Sequence, residues 1–171
     1  MPLAALALGT NLGDRRHNLS AAIDHLKQGL NVLKLSAVYE TAPLYVTDQP
    51  AFLNMALLAD TALAPHDLLA LAKDVERRVG RQPSFRNGPR AIDVDILFLD
   101  DRVVDTEDLT IPHPRLAERR FALAPLVDVA PDWRHPLTGL TAGEMLATIA
   151  EQGAFSRLAI PLTDSLASNP Q

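Results

Sequence analysis

Two aspartates, Asp93 and Asp95, lie two residues apart in the otherwise apolar segment 91–99. In a β-strand, residues two apart point to the same face, with Cα atoms roughly 7 Å apart. The opposite face of this predicted strand carries Ile92, Val94, Ile96 and Phe98. Two carboxylates placed in this way can hold one or two Mg²⁺ ions together with the oxygens of a phosphate chain. An exposed edge strand with its polar face in water has the same spacing, so the pair alone leaves both interpretations open.

A cluster of arginines precedes this strand. Residues 77–90 contain five arginines and no acidic residue, whereas residues 93–108 contain seven acidic residues and one arginine. A guanidinium group binds phosphate through two parallel hydrogen bonds, so the combination suits a polyphosphate bound through arginines and metal ions. A solvated charged loop beside a solvated strand is the alternative. The sequence has neither a Walker A loop nor a GxGxxG motif, so any ATP site must use side chains from several segments.

Two further polar residues are candidates for binding, each with a structural alternative. Asn54 lies in the apolar segment 51–60, and a buried amide must satisfy two donors and an acceptor, as the polar edge of a flat heterocycle can do. An amide that bonds to the backbone is an equal alternative. His113 lies between Pro112 and Pro114, which restrict the backbone and can aim a side chain. A histidine in a surface loop is the alternative.

Length and composition exclude several classes of protein. The chain has 171 residues, 47% apolar and 22% charged, which favours one folded domain over two and argues against disorder. The net charge of −5 argues against a general binder of nucleic acids or anionic membranes. The absence of cysteine excludes disulfides, iron–sulfur clusters and thiol nucleophiles. No membrane-spanning apolar run and no signal peptide are recognisable, so a cytoplasmic location is expected.

The candidate residues must be positioned by regular elements. Short or alternating apolar runs predict strands at residues 3–8, 32–39, 91–99 and 155–160. Apolar residues at helical spacing predict helices at residues 19–30, 65–79 and 141–151. Segment 51–60 fits a strand or a helix, and segment 119–130 has a helical pattern that Pro125 is expected to kink or end. Residues 81–90 and 110–116 have the composition of loops.

Helix ends carry their own signals. Asn11 or Asp14 is expected to cap the first helix, and Gly80 is expected to end the second. Thr141 and Glu144 have the spacing of a capping box for the last helix.

The order of these elements predicts the fold class. Strands outnumber long helices and cluster in pairs, which favours an α+β sandwich with a mostly antiparallel sheet and helices on its faces. No internal repeat or linker divides the chain. We therefore expect one domain over residues 1–160, followed by a frayed tail at residues 161–171.

Taken in order, these segments resemble the 6-hydroxymethyl-7,8-dihydropterin pyrophosphokinase family of folate biosynthesis. The resemblance covers about residues 3–160. Its motifs are LGTNLGD at 8–14, YETAPL at 39–44, DQPAFLNMAL at 48–57, GPRAIDVDILFL at 88–99 and LTIPHPRLAERRFALAPLVDVAP at 109–131. Members of this family transfer the β,γ-diphosphate of ATP to the hydroxymethyl group of the pterin and release AMP. The resemblance therefore implies this activity and a ferredoxin-like αβα core.

The resemblance also implies roles for particular residues. Asp93 and Asp95 would hold two Mg²⁺ ions that bridge the phosphates, and Asp95 would assist deprotonation of the pterin hydroxyl. Arg81 and Arg90 would offset the charge that develops on the phosphates. The residues implied for ATP binding are Lys73, Glu76, Arg81, Arg90, Ile96, Thr110, His113 and Arg119. The residues implied for pterin binding are Thr41, Pro43, Leu44, Phe52, Asn54 and Phe121, with the two phenylalanines sandwiching the ring.

Two other classes of function remain alternatives. A two-metal phosphoester hydrolase could use the same aspartates without a pterin, but two aspartates and one loop histidine are few ligands for such a site. A non-catalytic ferredoxin-like binding module would need no aspartate pair, and RNA-binding sheets are expected to carry more aromatic residues than the 5% found here. The resemblance implies small-molecule partners, no nucleic acid, no membrane and a monomer.

Overall fold

The computed structural model describes residues 1–42, 48–80 and 91–149, and the backbone of a short strand at 155–157. The strands are β1 (Leu3–Thr10), β2 (Asn31–Leu35), β3 (Tyr39–Thr41), β4 (Phe52–Asp60), β5 (Asp93–Leu99), β6 (Val104–Asp105), β7 (Thr110–Ile111) and β8 (Phe155–Arg157). The helices are α1 (Arg15–Lys27), α2 (Pro65–Val79), α3 (Arg120–Val129) and α4 (Ala142–Thr148), with a 3₁₀ turn at Leu116–Glu118. The predicted loop 81–90 and the predicted tail 161–171 lie outside the described residues.

An antiparallel sheet forms the centre of the fold. Its strands lie in the order β5-β1-β4-β3-β8, and β2 pairs with β4 next to β3. Every strand pairing in the described part of the chain is antiparallel. Helices α1 and α2 pack on one face of the sheet, and α3 and α4 pack on the other. This arrangement confirms the α+β class and is consistent with the ferredoxin-like core that the resemblance implied.

The central strand β4 separates two apolar clusters. Leu53, Met55 and Leu57 face α1 and α2, whereas Ala56 and Leu58 face α3 and α4. All five side chains are buried, and a strand that is covered on both faces reads as a continuous apolar run. This is why the sequence did not distinguish a strand from a helix here.

The prediction of one continuous strand at 32–39 is wrong, because the structure has two strands there. β2 ends at Leu35 and β3 begins at Tyr39. Between them, Ser36 Oγ accepts a hydrogen bond from the backbone N–H of Ala56 at 2.8 Å, and Ser36 N–H donates to the Ala56 carbonyl at 2.9 Å. A side-chain oxygen thus replaces a backbone carbonyl in the ladder and interrupts the strand.

β5 contains an irregularity that the alternating sequence did not reveal. Its pairing with β1 shifts by one residue, because Leu6 is opposite Ile96 and Ala5 is opposite Phe98. Phe98 therefore lies on the α3 side of the sheet, and its predicted place on the face of Ile96 is wrong. There its ring stacks on Trp133, with centroids 4.4 Å apart. A bulge changes the face that all later residues of the strand occupy.

The start of α1 is set by its cap. Asp14 accepts a hydrogen bond from the backbone N–H of His17 at 3.1 Å, so Asp14 and not Asn11 caps the helix. The helix begins at Arg15, before the predicted start at residue 19. Its first turn is polar, and for this reason apolar spacing alone placed the start too late.

The predicted end of α2 and the predicted capping box of α4 are confirmed, whereas α1 ends at Lys27 and α4 at Thr148, each three residues before the predicted end. Gly80 ends α2 with a φ of 98°, and Thr141 and Glu144 form the capping box of α4. Pro125 lies inside α3 and does not end it, contrary to one of the two expectations. Proline forgoes one backbone hydrogen bond, while burial of apolar side chains such as Leu126 keeps the helix on the sheet. Within the described residues, no helix is long and apolar enough to cross a membrane.

Candidate active site

Three residues form a row across the sheet that includes a predicted pterin ligand and a predicted metal ligand. Gly9 of β1 is paired with Asn54 of β4 on one side and with Asp93 of β5 on the other. Directly paired residues share a face, so Asn54 and Asp93 both face α3, two strand spacings apart, or roughly 10 Å. In the next row on this face, Ala7 lies between Ala56 and Asp95. The predicted pterin amide and the predicted metal ligands therefore share one surface of the sheet.

The amide of Asn54 is held by a neighbouring side chain. Its Nδ2 donates to Thr41 Oγ1 at 2.7 Å, and the two residues are 7% and 4% exposed. Phe52 is paired with Thr41 and lies half-buried two residues before Asn54, on the same face. The structure thus brings together three of the residues predicted to bind the pterin. Pro43 and Leu44 lie outside the described residues.

Gly9 was not predicted as a site residue. A Cβ at this position would lie 2.9 Å from Asn54 Oδ1 and 3.8 Å from a ring carbon of Phe52. The apolar run predicted a strand that ends at residue 8, whereas β1 continues through Gly9 to Thr10. A glycine within a strand often marks the close approach of another group, and that signal could have identified it.

Helix α3 lies over this face of the sheet and contributes further groups to the site. Phe121 lies in its first turn, half-buried against the apolar cluster on the α3 side of the sheet. The guanidinium carbon of Arg119 lies 5.5 Å from the centroid of the Phe121 ring, a cation–π contact. Arg119 Nε is buried and has no hydrogen-bond partner among the described residues. A buried guanidinium donor in this position suits an anionic oxygen of a ligand.

His113 is held as a neutral donor beside Arg119. Burial, followed by the charges of Arg119 and Arg115, lowers the pKa of His113 to about 4. Its Nδ1 accepts a hydrogen bond from the backbone N–H of Arg115 at 3.2 Å, which assigns the ring proton to Nε2. Its own backbone N–H donates to the Leu97 carbonyl at 3.0 Å and docks the loop against β5. Near neutral pH His113 can therefore donate one hydrogen bond from Nε2.

Glu76 of α2 reaches the edge of β5 between the two aspartates. It is 3% exposed, and its Oε2 accepts a hydrogen bond from the backbone N–H of Val94 at 2.9 Å. Lys73 Nζ lies 3.4 Å from the other carboxylate oxygen, and the Lys73 side chain is 57% exposed. Glu76 was predicted only as an ATP ligand, and its bond to Val94 adds a structural role. Through this bond, the Glu76 carboxylate holds in place the strand that carries Asp93 and Asp95.

The outer edge of β5 directs backbone groups away from β1, on the side where β7 packs. Because Val94 N–H points away from β1, the alternation of strand N–H groups makes Ile96 N–H point the same way. Thr110, in β7, lies partly buried opposite Asp105, and β7 packs against β5. The two residues predicted for the adenine site thus lie on neighbouring elements.

A polar pair joins α2 to the hairpin of β6 and β7. His66 Nε2 lies 3.0 Å from Asp108 Oδ1, and the Thr106 hydroxyl donates to the same oxygen at 2.9 Å. The hydrogen bond from Thr106, with the one from His66, lowers the pKa of Asp108. Sequence reasoning did not find this pair because its members are about 40 residues apart.

The carboxylates of the site suit a metal ion whose remaining ligands come from the substrate and water. Asp93 and Asp95 are half-buried on one face of β5. Within the described ranges, no group of three or more His, Cys, Asp or Glu residues could hold a metal by itself. Mg²⁺ is commonly bound through one or two carboxylates, water and substrate phosphates, so this donor set suits Mg²⁺ with a polyphosphate. Arg81 and Arg90 lie outside the described residues.

The comparisons with known proteins agree on one family. A family model described as 7,8-dihydro-6-hydroxymethylpterin-pyrophosphokinase matches residues 5–131. The 2-amino-4-hydroxy-6-hydroxymethyldihydropteridine pyrophosphokinase of Bacillus subtilis is 44% identical over 129 residues, which cover 74% of this chain and 77% of that protein. The protein of the same name from Aquifex aeolicus is 42% identical over 137 residues, covering 80% of this chain and 86% of that protein.

Longer proteins also match. The mitochondrial folate synthesis bifunctional protein of Pisum sativum is 50% identical over 125 residues, which cover 72% of this chain and 24% of that protein. The chain spans about a quarter of the length of such relatives. The solved HPPK-DHPS of Plasmodium falciparum with SDX-DHP matches with a TM-score of 0.64 at 18% identity, over 86% of this chain and 43% of that one, which supports the fold. Because the family model matches most of the chain and both bacterial proteins match over most of their length, the chain belongs to the 7,8-dihydro-6-hydroxymethylpterin pyrophosphokinase family.

Proposed function

We propose that this protein transfers the β,γ-diphosphate of ATP to the hydroxymethyl group of 6-hydroxymethyl-7,8-dihydropterin and releases AMP. The observation that carries the proposal is the row across the sheet in which Gly9 separates Asn54 from Asp93. An amide suited to a heterocycle and a carboxylate suited to a metal-bound phosphate lie there on one face, with β1 between them. Family membership supports the same reaction.

The pterin half of the site rests on Asn54. Its amide oxygen and second N–H are proposed to bond the polar edge of the ring, while Thr41 holds the first N–H. Phe52 and Phe121 are proposed to stack on the two faces of the ring, because they come from β4 and α3 on the same side of the sheet. Pro43 and Leu44 are assigned to this half from the resemblance alone.

The phosphate half uses positive and neutral donors. Arg119 Nε and His113 Nε2 are proposed to donate to phosphate oxygens, which suits a buried guanidinium N–H and a neutral imidazole. Arg81 and Arg90 are assigned as catalytic arginines from the resemblance alone. For the nucleoside, backbone groups of Ile96 with Thr110 are proposed to bind adenine, and Lys73 and Glu76 are proposed to line that side.

Asp93 and Asp95 are proposed to hold two Mg²⁺ ions with the phosphates. When bound, these ions neutralise phosphate charge and lower the pKa of the attacking hydroxyl. In the reaction, the pterin hydroxyl oxygen forms a bond to the β-phosphorus, and the bond from that phosphorus to the oxygen of the α-phosphate breaks to release AMP. A carboxylate oxygen of Asp95 is the proposed acceptor of the hydroxyl proton.

The organisation of the protein in the cell is a further proposal. We propose a cytoplasmic monomer with one domain over residues 1–160; the monomer is implied by the resemblance, and the size is compatible with bacterial relatives of similar length. Other relatives are bifunctional, and some are named mitochondrial. Gel filtration with light scattering tests the monomer directly, and fluorescent tagging in the source cell tests the location.

The reaction is tested by ³¹P NMR of the protein with ATP, Mg²⁺ and the hydroxymethyl pterin. The expected products are AMP and the pterin diphosphate in equal amounts, and neither is expected when the pterin is left out. Release of orthophosphate or pyrophosphate without the pterin would instead support the phosphoester hydrolase. No turnover, despite binding of both ligands, would contradict the proposed transfer.

A further inference from the structure

We propose that Gly9 is a specificity-determining residue of the pterin site, because only a residue without a side chain lets Asn54 keep its amide in place. This inference rests on the proposed function and assigns a role to a residue that neither the motif nor the family match explains. In the space left by the missing side chain of Gly9, the pterin would lie across β1 and extend from Asn54 toward the aspartates.

The position of Gly9 in the sheet makes this role specific. It lies between Asn54 and Asp93 in one row, so a ligand that contacts both must pass over β1 at this residue. The next residue of β1 on the same face is Ala7, between Ala56 and Asp95. Any larger side chain in this part of β1 would stand between the heterocycle and the carboxylates that its hydroxymethyl group must reach.

The conflict that a methyl group would create is confined to one neighbour. A Cβ on Gly9 would lie 2.9 Å from Asn54 Oδ1, closer than real Cβ atoms come, whereas 3.8 Å to Phe52 is an ordinary contact. The Asn54 amide is bonded to Thr41 Oγ1 at 2.7 Å and is 7% exposed. It therefore cannot rotate away without losing that bond inside a packed region.

The backbone itself does not require glycine at this position. Gly13, Gly80 and Gly139 have positive φ angles, and Gly9 is not among them. Gly9 lies within β1 in a regular ladder with both neighbours. Alanine is compatible with this backbone, so a Gly9→Ala variant tests the space above the residue and not its conformational freedom.

The test measures binding of both ligands to Gly9→Ala by calorimetry. Pterin is titrated in the presence of Mg²⁺ and α,β-methylene-ATP, so that the result does not depend on the order of binding. We expect the pterin Kd to rise at least about 10-fold, the size of a lost hydrogen bond to a buried polar group. The Kd of the ATP analogue should stay within about 2-fold. Gly143→Ala in α4, where a Cβ meets ordinary contacts at 3.6 and 3.9 Å, is the matched control and should change neither Kd.

A double-variant cycle gives a second readout that does not need the ligand. Gly9→Ala should lower the thermal midpoint in the wild-type background, and should lower it less in an Asn54→Ala background that has no amide to displace. If Gly9→Ala alone fails to fold, recovery in the double variant supports the inference, and failure to recover overturns it. Additive midpoints also overturn it.

The outcomes separate this inference from the proposed function. Pterin binding by wild type together with unchanged binding by Gly9→Ala overturns the inference and leaves the proposed function standing. Equal loss of both ligands in Gly9→Ala assigns the residue a general structural role and also overturns it. Absence of pterin binding in wild type contradicts the proposed function, and with it the specificity role, even if the midpoint cycle shows the collision with Asn54.

Discussion

The two halves of the candidate site are built in different ways. On the pterin side, Thr41 and Asn54 are nearly inaccessible and bond to each other on adjoining strands β3 and β4. On the nucleotide side, the groups belong to the edge strand β5, to the small hairpin, and to exposed side chains such as Lys73. Buried side chains with fixed partners discriminate by shape and hydrogen bonding, whereas a strand edge and exposed charges tolerate change. Apart from the buried Glu76, single substitutions on the nucleotide side should therefore damage recognition less than those on the pterin side.

In each half, a carboxylate from a helix also accepts a hydrogen bond from a residue of the sheet or next to it. Glu76 of α2 is buried and accepts a hydrogen bond from Val94 N–H, at the strand of the aspartates. Asp128 of α3 is exposed and accepts from the Tyr39 hydroxyl at 2.9 Å and from Ala37 N–H at 3.1 Å, next to β3. The buried anchor should matter more, because water can replace the partners of the exposed one.

The largest effect should come from the residues that serve both halves. Asp93→Ala and Asp95→Ala should each lower turnover at least about 100-fold, because the diphosphate loses cations that neutralise and align it. Each side chain lies on the polar face of β5, so the thermal midpoint without Mg²⁺ should stay near that of wild type. Steady-state assays of AMP release measure the loss, with Asp101→Ala in an exposed turn as the control. Near-normal turnover, or unfolding of the variants, would contradict the assigned role.

On the pterin side alone, Asn54→Ala should weaken pterin binding about 10-fold or more, because the polar edge of the ring loses its partner. Binding of α,β-methylene-ATP should be nearly unchanged. Calorimetry with each ligand measures the two constants. Equal weakening of both would show that the amide supports the fold of the whole site, and the two halves would not be separable.

On the nucleotide side, two substitutions of Glu76 distinguish positioning from contact. Glu76→Gln keeps an oxygen that can accept from Val94 N–H, so it should bind the ATP analogue within about 2-fold of wild type. Glu76→Ala removes the anchor of β5 and should weaken that binding several-fold, with a smaller effect on pterin. If Glu76→Gln is as weak as Glu76→Ala, the charge of Glu76 contacts the nucleotide directly.

The pH dependence of stability should reflect His113. Its pKa is about 4 in the folded protein and near 6.5 when unfolded, so the unfolded chain binds more protons between these values. The contribution of His113 is complete above pH 6.5 and is lost as pH falls toward 4, by roughly 3 kcal/mol at most. Urea unfolding of wild type and His113→Gln across this range measures it, and identical slopes would show that His113 does not titrate this way.

The smallest effect should come from the exposed anchor. Tyr39→Phe removes the hydroxyl that donates to Asp128 and leaves the Ala37 bond in place. We expect a loss of about 1 kcal/mol in the free energy of unfolding and a change of no more than about 3-fold in the pterin Kd. Thr141→Ala, which removes the cap of α4, should cost similar stability and leave the pterin Kd unchanged. A change in pterin Kd as large as that of Asn54→Ala would make α3 docking a main determinant of the pterin half.

The sequence predicted these halves unequally. Alternation placed Asp93 and Asp95 on one face because side chains in a regular strand repeat every two residues. The same rule failed at Phe98, because a bulge depends on the partner strand and leaves no local mark. It also failed at Ser36, where a side-chain hydrogen bond interrupts a segment whose apolar pattern continues.

One site residue, Gly9, and one structural role, that of Glu76, were missed by sequence reasoning because both depend on neighbours distant in the chain. Gly9 matters because Asn54 lies beside it, 45 residues later, and Glu76 anchors β5 from a helix. Pairing register and helix docking determine such relations, and neither can be read from local periodicity. The resemblance assigned ligands, whereas the structure shows what holds those ligands in place.

The central claim, that a pterin half on the α3 face of the sheet and a nucleotide half at the edge of β5 are separable, is tested most directly by a two-step titration followed by ¹⁵N NMR. Mg²⁺ and α,β-methylene-ATP are added first, and the hydroxymethyl pterin second. The first step should shift backbone resonances of Ile96, Thr110 and His113, and the second should shift those of Gly9, Thr41 and Asn54, with Asp93 and Asp95 responding to both. A second step that leaves Gly9, Thr41 and Asn54 unmoved would contradict the account.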